Sequence, residues 1–368
     1  MGRTRGGSME LTRRGLLAAF GSPLAAQVAP SSATEWRRYA DPVTEFEVIR
    51  LTDPQWECRL PPLSGRAIDR RSRMLLYASN RGGSWQPWLM DLSSKLSEPL
   101  GSFQEFQPGA LALSGDDKEV WLLDGRSILA VQSKSPTRRR ELARLRDGWN
   151  LAGAWAGSDD STHLFFAEQR DAASEVRRVR LPKGMPETVI EQPGTIGEIQ
   201  PNPRRATLAW LSGDGELWAA AYDGTAKRKL ETPPGRVLET EWAPDGQSLY
   251  YLLAPAGPGK LNEIREQQLD TRADALVART SQFVSFGRNA NASVFVGASQ
   301  SKASPTVLVL LRATRREFTL CEHKSTDPAR VAPRFTPNSQ RIIFESDRHG
   351  KPALYLLNVE RLIEKTDS

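Results

Sequence analysis

The stretch RVAPRFTPNSQRIIFESDRHGKPALYLLNV, residues 330–359, decides the fold. It holds three short apolar runs separated by two polar turns. The first run ends at Phe335, and the turn TPNS (336–339) follows, where proline fixes φ and the Asn and Ser side chains bond back to the backbone. The second and third runs, IIF (342–344) and ALYLL (353–357), flank the polar turn at 346–352. Short β-branched and aromatic runs between such turns predict three antiparallel strands.

The same unit recurs upstream. Positions equivalent to Phe335 are Ile68, Leu113, Trp155, Ile199, Trp242 and Phe286. These seven positions lie roughly 42 to 49 residues apart, and each precedes a polar turn and an apolar strand. This period is typical of four-stranded propeller blades, so the spacing predicts a propeller of seven blades.

The last blade lacks a fourth strand of its own, because a polar tail follows Val359. Residues 46–52, FEVIRLT, alternate as a strand but have no meander around them. We therefore expect this segment to be the outer strand of the last blade, with Ile49 beside Leu356, while residues 35–44 are a lead-in. Such closure removes exposed edges from the ring. The predicted fold is all-β, a seven-bladed β-propeller of four-stranded antiparallel blades over residues 34–359, with a C-terminal tail at 360–368.

Residues 1–33 have the features of an export signal followed by a disordered N-terminus. They contain the pair Arg13-Arg14, an apolar run at 16–20 and small residues at Ala25-Ala26. This pattern resembles a twin-arginine signal and predicts a periplasmic or secreted protein. The alternative is a basic, disordered N-terminus without a targeting role. No apolar run approaches the length needed to span a membrane.

The charge of the chain is mildly basic and limits the partners. The formal net charge is +6, and cleavage after Ala26 would remove four arginines and one glutamate to leave +3. No stripe of Lys and Arg interleaved with aromatic residues is present, so nucleic acid is not expected as a partner. A modest positive charge suits an anionic small ligand. We expect a monomer.

The two cysteines, Cys58 and Cys321, fall in predicted connections between blades. In an oxidising compartment they could form a disulfide, and the alternative is a pair of partly buried free thiols. Neither belongs to a CxxC pair, and no spacing typical of a metal site is present.

The final blade resembles two groups of propellers. The unit FTPNSQRIIFESDRHGKPALYLLNV is similar to the WD40-like blades of the TolB family. Residues 41–54, residues 73–92 and the final blade together resemble the oligogalacturonate lyase family, and the resemblance extends over most of residues 41–359. It implies a seven-bladed propeller that cleaves short uronate oligosaccharides of pectin by β-elimination. It also implies a manganese ion held by histidines and a glutamine, with a further histidine as base.

This sequence departs from that family at the metal ligands. The family pattern Gln-x-x-His-x-His-Pro-x-Phe aligns on Pro333 and Phe335, which puts the ligand positions at Asp327, Arg330 and Ala332. Of these, Asp327 alone has a side chain that binds metals. The sequence therefore predicts no metal site, and the cofactor is left open.

The chain has three histidines, and two are candidates for the site. His323, in the segment leading into the last blade, is the candidate catalytic base. His349, in the second turn of that blade, is a candidate substrate-binding residue, although this turn also reads as a solvated hairpin. His163 begins a strand on the opposite side and reads as structural.

Arginines are the alternative to the missing metal. Arg81 and Arg348 occupy corresponding second turns of the first and last blades, while Arg59 and Arg330 lead into the inner strands of the same blades. Second turns and inter-blade connections share one face of a propeller, so we expect the four guanidinium groups to converge and bind a carboxylate. The alternative is that they cap turns or solubilise the rim. Trp85, in a loop of the first blade, is a candidate platform for a sugar ring.

Two functions from different classes follow. The first is recognition of acidic uronate oligosaccharides at the mouth between the last and first blades, with or without β-elimination, so enzymatic activity stays open. The second is a non-catalytic, TolB-like scaffold for a periplasmic protein partner. Convergence of cations at the mouth favours the first function.

Overall fold

Seven antiparallel sheets follow one another along the chain, as the sequence predicts. The computed structural model describes residues 1–2 and 35–363, without the side chain of Ala154. The predicted export signal, residues 1–33, lies outside the described residues except for residues 1–2. Within the described part, no helix is long and apolar enough to cross a bilayer.

Each blade is a meander of short strands whose first strand lies innermost. Blade 1 comprises β3 (Cys58–Arg59), β4 (Met74–Ser79), β5 (Gln86–Asp91) and β6 (Ser97–Pro99). Blade 2 comprises β7 (Phe106–Leu113), β8 (Glu119–Asp124), β9 (Ser127–Gln132) and β10 (Ser135–Arg144). Blade 3 comprises β11 (Asn150–Gly157), β12 (His163–Arg170), β13 (Ala173–Arg180) and β14 (Glu187–Pro193). Blade 4 comprises β15 (Ile196–Pro201), β16 (Thr207–Ser212), β17 (Leu217–Ala221) and β18 (Arg228–Lys229).

The remaining blades follow the same order. Blade 5 comprises β19 (Gly235–Trp242), β20 (Ser248–Pro255), β21 (Glu263–Gln268) and β22 (Asp274–Arg279). Blade 6 comprises β23 (Phe283–Arg288), β24 (Val294–Ser299), β25 (Thr306–Leu311) and β26 (Arg316–Glu322). Blade 7 has five strands, in the order β1 (Arg37–Ala40), β2 (Glu47–Arg50), β29 (Ala353–Asn358), β28 (Arg341–Ser346) and β27 (Arg334–Phe335). A short 3-10 helix, η1 (Pro328–Arg330), precedes β27, and one helical turn, α1 (Glu360–Ile363), ends the described chain.

The predicted closure of the ring is confirmed. Strand β2 pairs antiparallel with β29, and Ile49 lies opposite Leu356. The prediction of a simple lead-in before β2 was wrong, because residues 37–40 form β1 and add a fifth strand to blade 7. This edge strand is charged and largely exposed, which hides its strand character in the sequence and protects the edge from further pairing.

Two further details correct the sequence-based layout. The polar tract at 133–141, expected to be a solvated loop, contributes most of its residues to β10, the exposed outer strand of blade 2. Cys58 and Cys321 lie in β3 and β26 rather than in connections, and both are buried free thiols. Burial raises the pKa of Cys58 to about 11 and raises that of Cys321 as well, so both stay protonated at neutral pH.

The core lies in the layers between neighbouring blades. Strand residues of adjacent sheets interdigitate there, and four tryptophans that are at most 1% exposed fill the space between the twisted sheets: Trp88, Trp121, Trp155 and Trp210. Ile49 belongs to one such layer, where it packs with Leu51, Leu354 and Leu356 between blades 7 and 1. The closing strand is therefore held by packing as well as by backbone hydrogen bonds.

Replacing Ile49 with Ala tests this packing. We expect the free energy of unfolding to fall by about 2 to 4 kcal/mol, because the change leaves a cavity in a layer that joins the two ends of the ring. Equilibrium denaturant titration measures the change. Glu47→Ala, an exposed substitution on the same strand, is the control and should alter stability by no more than about 0.5 kcal/mol. Equal, small effects of both substitutions would contradict a closing role for β2.

Candidate functional site

Shortened inner strands open a cavity between blades 7, 1 and 2. After Arg59 the chain continues as Leu60-Pro61-Pro62, and prolines have no N–H with which to continue a ladder, so β3 has only two residues. Strand β27 is equally short and follows Pro333. The resulting cavity, which we name the first mouth, has a volume of about 420 Å³ and lies on the face that carries the second turns.

Three of the predicted substrate-binding residues meet in the first mouth: Arg59, Trp85 and Arg330. The Arg59 guanidinium lies 3.4 Å from the Glu345 carboxylate and 3.8 Å from that of Glu57. Arg330 projects from the end of η1, with its side chain 61% exposed, and its Nε lies 3.1 Å from Asp327 Oδ2. Both arginines therefore carry a partly balanced charge at the rim.

Arg334 lies deeper in the first mouth and was not singled out from the sequence. No carboxylate lies within 4.0 Å of its guanidinium among residues 35–363, and its buried Nε has no hydrogen-bond partner there. Burial lowers the pKa of Arg334 to about 10, so it is still a cation at neutral pH. The alternation of β27 gives the missing signal. Buried Phe335 packs in the layer between blades 6 and 7, so its neighbour Arg334 faces blade 1, where it donates to the Pro62 carbonyl at 3.5 Å.

Glu345 connects blade 7 to blade 1 at the same place. Its Oε1 accepts a hydrogen bond of 2.5 Å from the Leu60 amide, and its Oε2 lies 3.4 Å from Arg59 Nη1. Burial raises the pKa of Glu345, and the neighbouring Arg59 and Arg334 oppose this shift. The Glu345 carboxylate therefore accepts the hydrogen bond of the Leu60 amide, which follows directly after the end of β3.

Trp85 provides the apolar wall of the first mouth. It lies in the second turn of blade 1, half-buried, and packs against the core layer between blades 1 and 2. An indole held in this way costs little conformational entropy on binding and presents an aromatic face or edge to a ligand.

Arg81 and Arg348 do not join this cavity. Arg81 forms an ion pair with Glu35 and lies over the Trp88 ring, 5.0 Å from its centroid. The Arg348 side chain is 7% exposed; its guanidinium donates to the Glu322 carbonyl at 2.5 Å and lies 3.7 Å from Asp41. The expected convergence of four arginines is therefore corrected to two of them, because acids of the N-terminal segment engage the other two.

The histidines also lie away from the first mouth. His323 is 0% exposed: its Nε2 lies 3.0 Å from the Ser299 carbonyl, and its Nδ1 accepts a 3.0 Å hydrogen bond from the Ser325 amide. Burial lowers the pKa of His323 and favours this neutral form. Neither nitrogen is available to a substrate, so the geometry gives no support for His323 as a base. His349 is exposed and bonds to the Tyr355 hydroxyl at 2.9 Å, beside the closing strand.

The residues present do not fit manganese. At the ligand positions implied by the family resemblance, Asp327 pairs with Arg330, and Ala332 has no donor atom. Within the described chain, no group of three or more His, Cys, Asp or Glu side chains is placed to hold a metal ion. At one of these three positions Arg330 supplies a guanidinium group, which brings positive charge without coordination chemistry.

A series of carboxylates lines the axial channel in blades 4 and 5. Glu239 and Glu241 accept hydrogen bonds from the amides of Phe286 and Arg288 on the neighbouring inner strand, at 2.5 and 2.8 Å. Glu198 lies in the preceding blade and accepts from the Thr240 hydroxyl at 3.3 Å. Burial raises the pKa of all three, that of Glu198 to about 7. These side chains satisfy unpaired amides on the inner edges of the sheets.

The chain is similar to oligogalacturonate lyases over most of its length. It is 23% identical over 369 residues to the oligogalacturonate lyase of Dickeya dadantii, and the alignment covers 87% of this chain and 95% of that protein. It is 24% identical over 373 residues to the oligogalacturonide lyase of Pectobacterium atrosepticum, with the same coverage. No family model matches the chain. The resemblance to oligogalacturonate lyases expected from the sequence is thus confirmed.

Solved structures show the same fold. An oligogalacturonate lyase in complex with manganese superposes with a TM-score of 0.82 at 23% identity, covering 88% of this chain and 96% of that one. The oligogalacturonate lyase of Vibrio parahaemolyticus superposes with a TM-score of 0.81 at 19% identity, covering 89% and 97%. At this level of identity, the structures establish the propeller fold alone.

The raised pKa of Glu198 predicts how stability depends on pH. Its pKa rises from an ordinary value of 4.5 to about 7 in the folded state, so the folded state binds this proton more tightly. Its contribution to stability is complete below about pH 4.5 and is lost as the pH rises through 7. Glu198→Gln should therefore flatten the pH dependence and stabilise the protein at pH 8 by about 1 kcal/mol.

Denaturant titrations at pH 5, 7 and 8 measure this effect. The control is Glu98→Gln, an exposed position on β6, which should follow the wild-type curve. Parallel pH curves for the wild type and Glu198→Gln would show that Glu198 does not carry the proton.

Proposed function

We propose that this chain is an exported, monomeric propeller that binds short acidic oligosaccharides at the first mouth and does not cleave them by β-elimination. A uronate oligosaccharide carries one carboxylate per sugar ring and an apolar sugar face. The first mouth offers guanidinium forks for the former and an indole for the latter.

One observation carries the proposal: Arg59, Arg330 and Arg334 line the same cavity together with Trp85. A guanidinium pairs a carboxylate bidentately and stays charged at every physiological pH. A volume of about 420 Å³ lies within the usual range for small-molecule sites. The named relatives, which are oligogalacturonate lyases, support the choice of ligand class.

Charge balance indicates where the ligand carboxylate binds. Arg59 and Arg330 already have carboxylate neighbours, whereas Arg334 has none within 4.0 Å among residues 35–363. Arg334 donates to the Pro62 carbonyl at 3.5 Å, and Glu239, Glu241 and Glu345 stabilise its charge from beyond 4.0 Å. A ligand carboxylate at contact distance would offset more of the cost of burying this cation. Arg334 is therefore the anchor, and Arg330 at the rim accepts the next acidic sugar.

Elimination needs a base as well as a cation, because a proton must leave the carbon next to the carboxylate. His323 is enclosed and both of its ring nitrogens are engaged. Of the carboxylates in the first mouth, Glu345 is held by the Leu60 amide and Glu57 faces Arg59. Arg59, Arg330 and Arg334 neutralise and orient a bound anion, whereas both carboxylates that line the cavity are already paired with Arg59.

Export rests on residues 11–26, where the arginine pair, the short apolar run and the small residues occur in the order of a twin-arginine signal. A binding protein outside the cytoplasm would meet acidic oligosaccharides released from polymers, so export would bring the protein to the compartment that holds its ligand.

Isothermal titration with digalacturonate tests the proposal. We expect wild-type binding and about a tenfold weaker affinity for Arg330→Ala, since one charge-assisted hydrogen-bonded pair is lost from an exposed side chain that does not support the fold. Arg334→Gln should weaken binding at least as much. Arg138→Ala, on the exposed outer strand of blade 2, is the matched control and should bind as the wild type does.

The absorbance of the unsaturated product, followed with and without manganese, separates binding from cleavage. We expect no product in either case. Product formation would establish a lyase and overturn the non-catalytic part of the proposal. Absence of binding by the wild type would overturn the whole and leave the protein-interaction scaffold.

A further inference from the structure

The opposite end of the axial channel forms a second cavity, which we name the second mouth. It has a volume of about 530 Å³ and is lined by first turns and inner-strand ends from blades 1, 3, 4, 5, 6 and 7. Leu63 and Arg334 line both mouths, so one layer of side chains separates the two cavities.

Arginine dominates the charged lining of the second mouth. Five arginines line it: Arg66, Arg70, Arg204, Arg288 and Arg334. The acidic lining consists of Asp159 and Glu241. Clustered guanidinium groups in a concave site raise the local concentration of anions.

Backbone carbonyls hold several of these arginines in place without cancelling their charge. Arg66 donates to the carbonyls of Ser114 and Gly115 at 2.9 and 2.7 Å. Arg288 Nε donates to the Trp242 carbonyl at 2.6 Å. Because the side chains are already ordered, an anion that binds them costs little further rotamer entropy.

Arg204 is anchored in the same manner, although more weakly. Its Nε donates to the Pro244 carbonyl at 3.3 Å, and the side chain stays exposed at the rim. The remaining donors of its guanidinium are not engaged by any carboxylate within 4.0 Å in the described chain. Arg204 is thus an accessible cation at the rim of the second mouth.

The acids near the second mouth do not balance its arginines. Asp117 lies 2.6 Å from Arg66, and Asp159 lies 2.9 Å from Arg70, so these two pairs are closed. Glu241 lies 3.6 Å from Arg288 and also accepts a hydrogen bond from the Arg288 amide at 2.8 Å, so it balances part of the Arg288 charge. Arg204 and Arg334 therefore have no carboxylate within 4.0 Å among residues 35–363, and Arg288 has Glu241 at 3.6 Å.

We propose that the second mouth is a separate binding site for a small oxyanion of the carboxylate or phosphate type, held by Arg204 and Arg288 above Arg334. Both chemistries present two or more oxygens to a guanidinium fork. The site does not depend on the sugar-binding function of the first mouth, because Arg204 and Arg288 do not line that cavity.

Calorimetric titration of the full chain at low ionic strength, with inorganic phosphate in one arm and acetate in the other, tests this site. We expect saturable binding of at least one anion, weakened about tenfold by Arg204→Ala. Arg288→Lys keeps the charge but removes the fork, and should also weaken binding. Phosphate bound more tightly than acetate identifies the phosphate type, and the reverse order identifies the carboxylate type.

Two controls separate this site from its alternatives. Arg330→Ala changes the first mouth alone, so Arg204→Ala should weaken anion binding by the same factor in the Arg330→Ala background as in the wild type. Arg138→Ala, outside both cavities, should have no effect. Absence of saturable binding, or equal weakening by Arg138→Ala and Arg204→Ala, would overturn the proposal, as would a loss confined to Arg330→Ala.

Discussion

The pairing of β2 with β29 is the constraint on which the rest of the structure depends. It places Val48, Ile49 and Arg50 opposite Leu357, Leu356 and Tyr355, so that the start and the end of the propeller share one sheet. Without this pairing, blade 7 would have an open edge and the ring could separate between blades 7 and 1. The first mouth lies at that junction, and it takes Arg59 from the first blade and Arg330 and Arg334 from the last. The strand pairing that closes the ring therefore also brings the site residues of blades 1 and 7 together.

Backbone amides on the inner edges of the blades find hydrogen-bond partners in two ways. Between blades 5 and 6, Glu239 and Glu241 of β19 accept hydrogen bonds from amides of β23, and burial raises the pKa of each carboxyl group. Between blades 7 and 1, prolines interrupt the inner strands instead, and Glu345 crosses the gap to the Leu60 amide. The channel is therefore acidic and filled on one side, and open and lined by arginines on the other. A carboxylate ligand matches the second of these environments.

The fold was largely predictable from the sequence, whereas the site was predictable only in part. Regular turns and apolar runs identify the blades, since each blade repeats the same local rules. The mouth residues Arg59, Trp85 and Arg330 follow from their places in loops and connections. Arg334 and Glu345 were missed because they lie within strand runs, where the repeat pattern draws attention to apolar neighbours. Arg81 and Arg348 occupy suitable turns, but no local pattern shows that Glu35 and Asp41 fold back to meet them. Similarly, no local sequence pattern shows that the His323 side chain is fully buried.

The central claim is that a guanidinium cluster recognises a sugar carboxylate where the first and last blades meet. A crystal structure of the protein with bound digalacturonate is its most direct test. The account predicts a carboxylate within about 3 Å of Arg334, with a sugar ring against Trp85 and the second carboxylate towards Arg330. Digalacturonate bound outside the first mouth, with Arg334 untouched, would contradict the account.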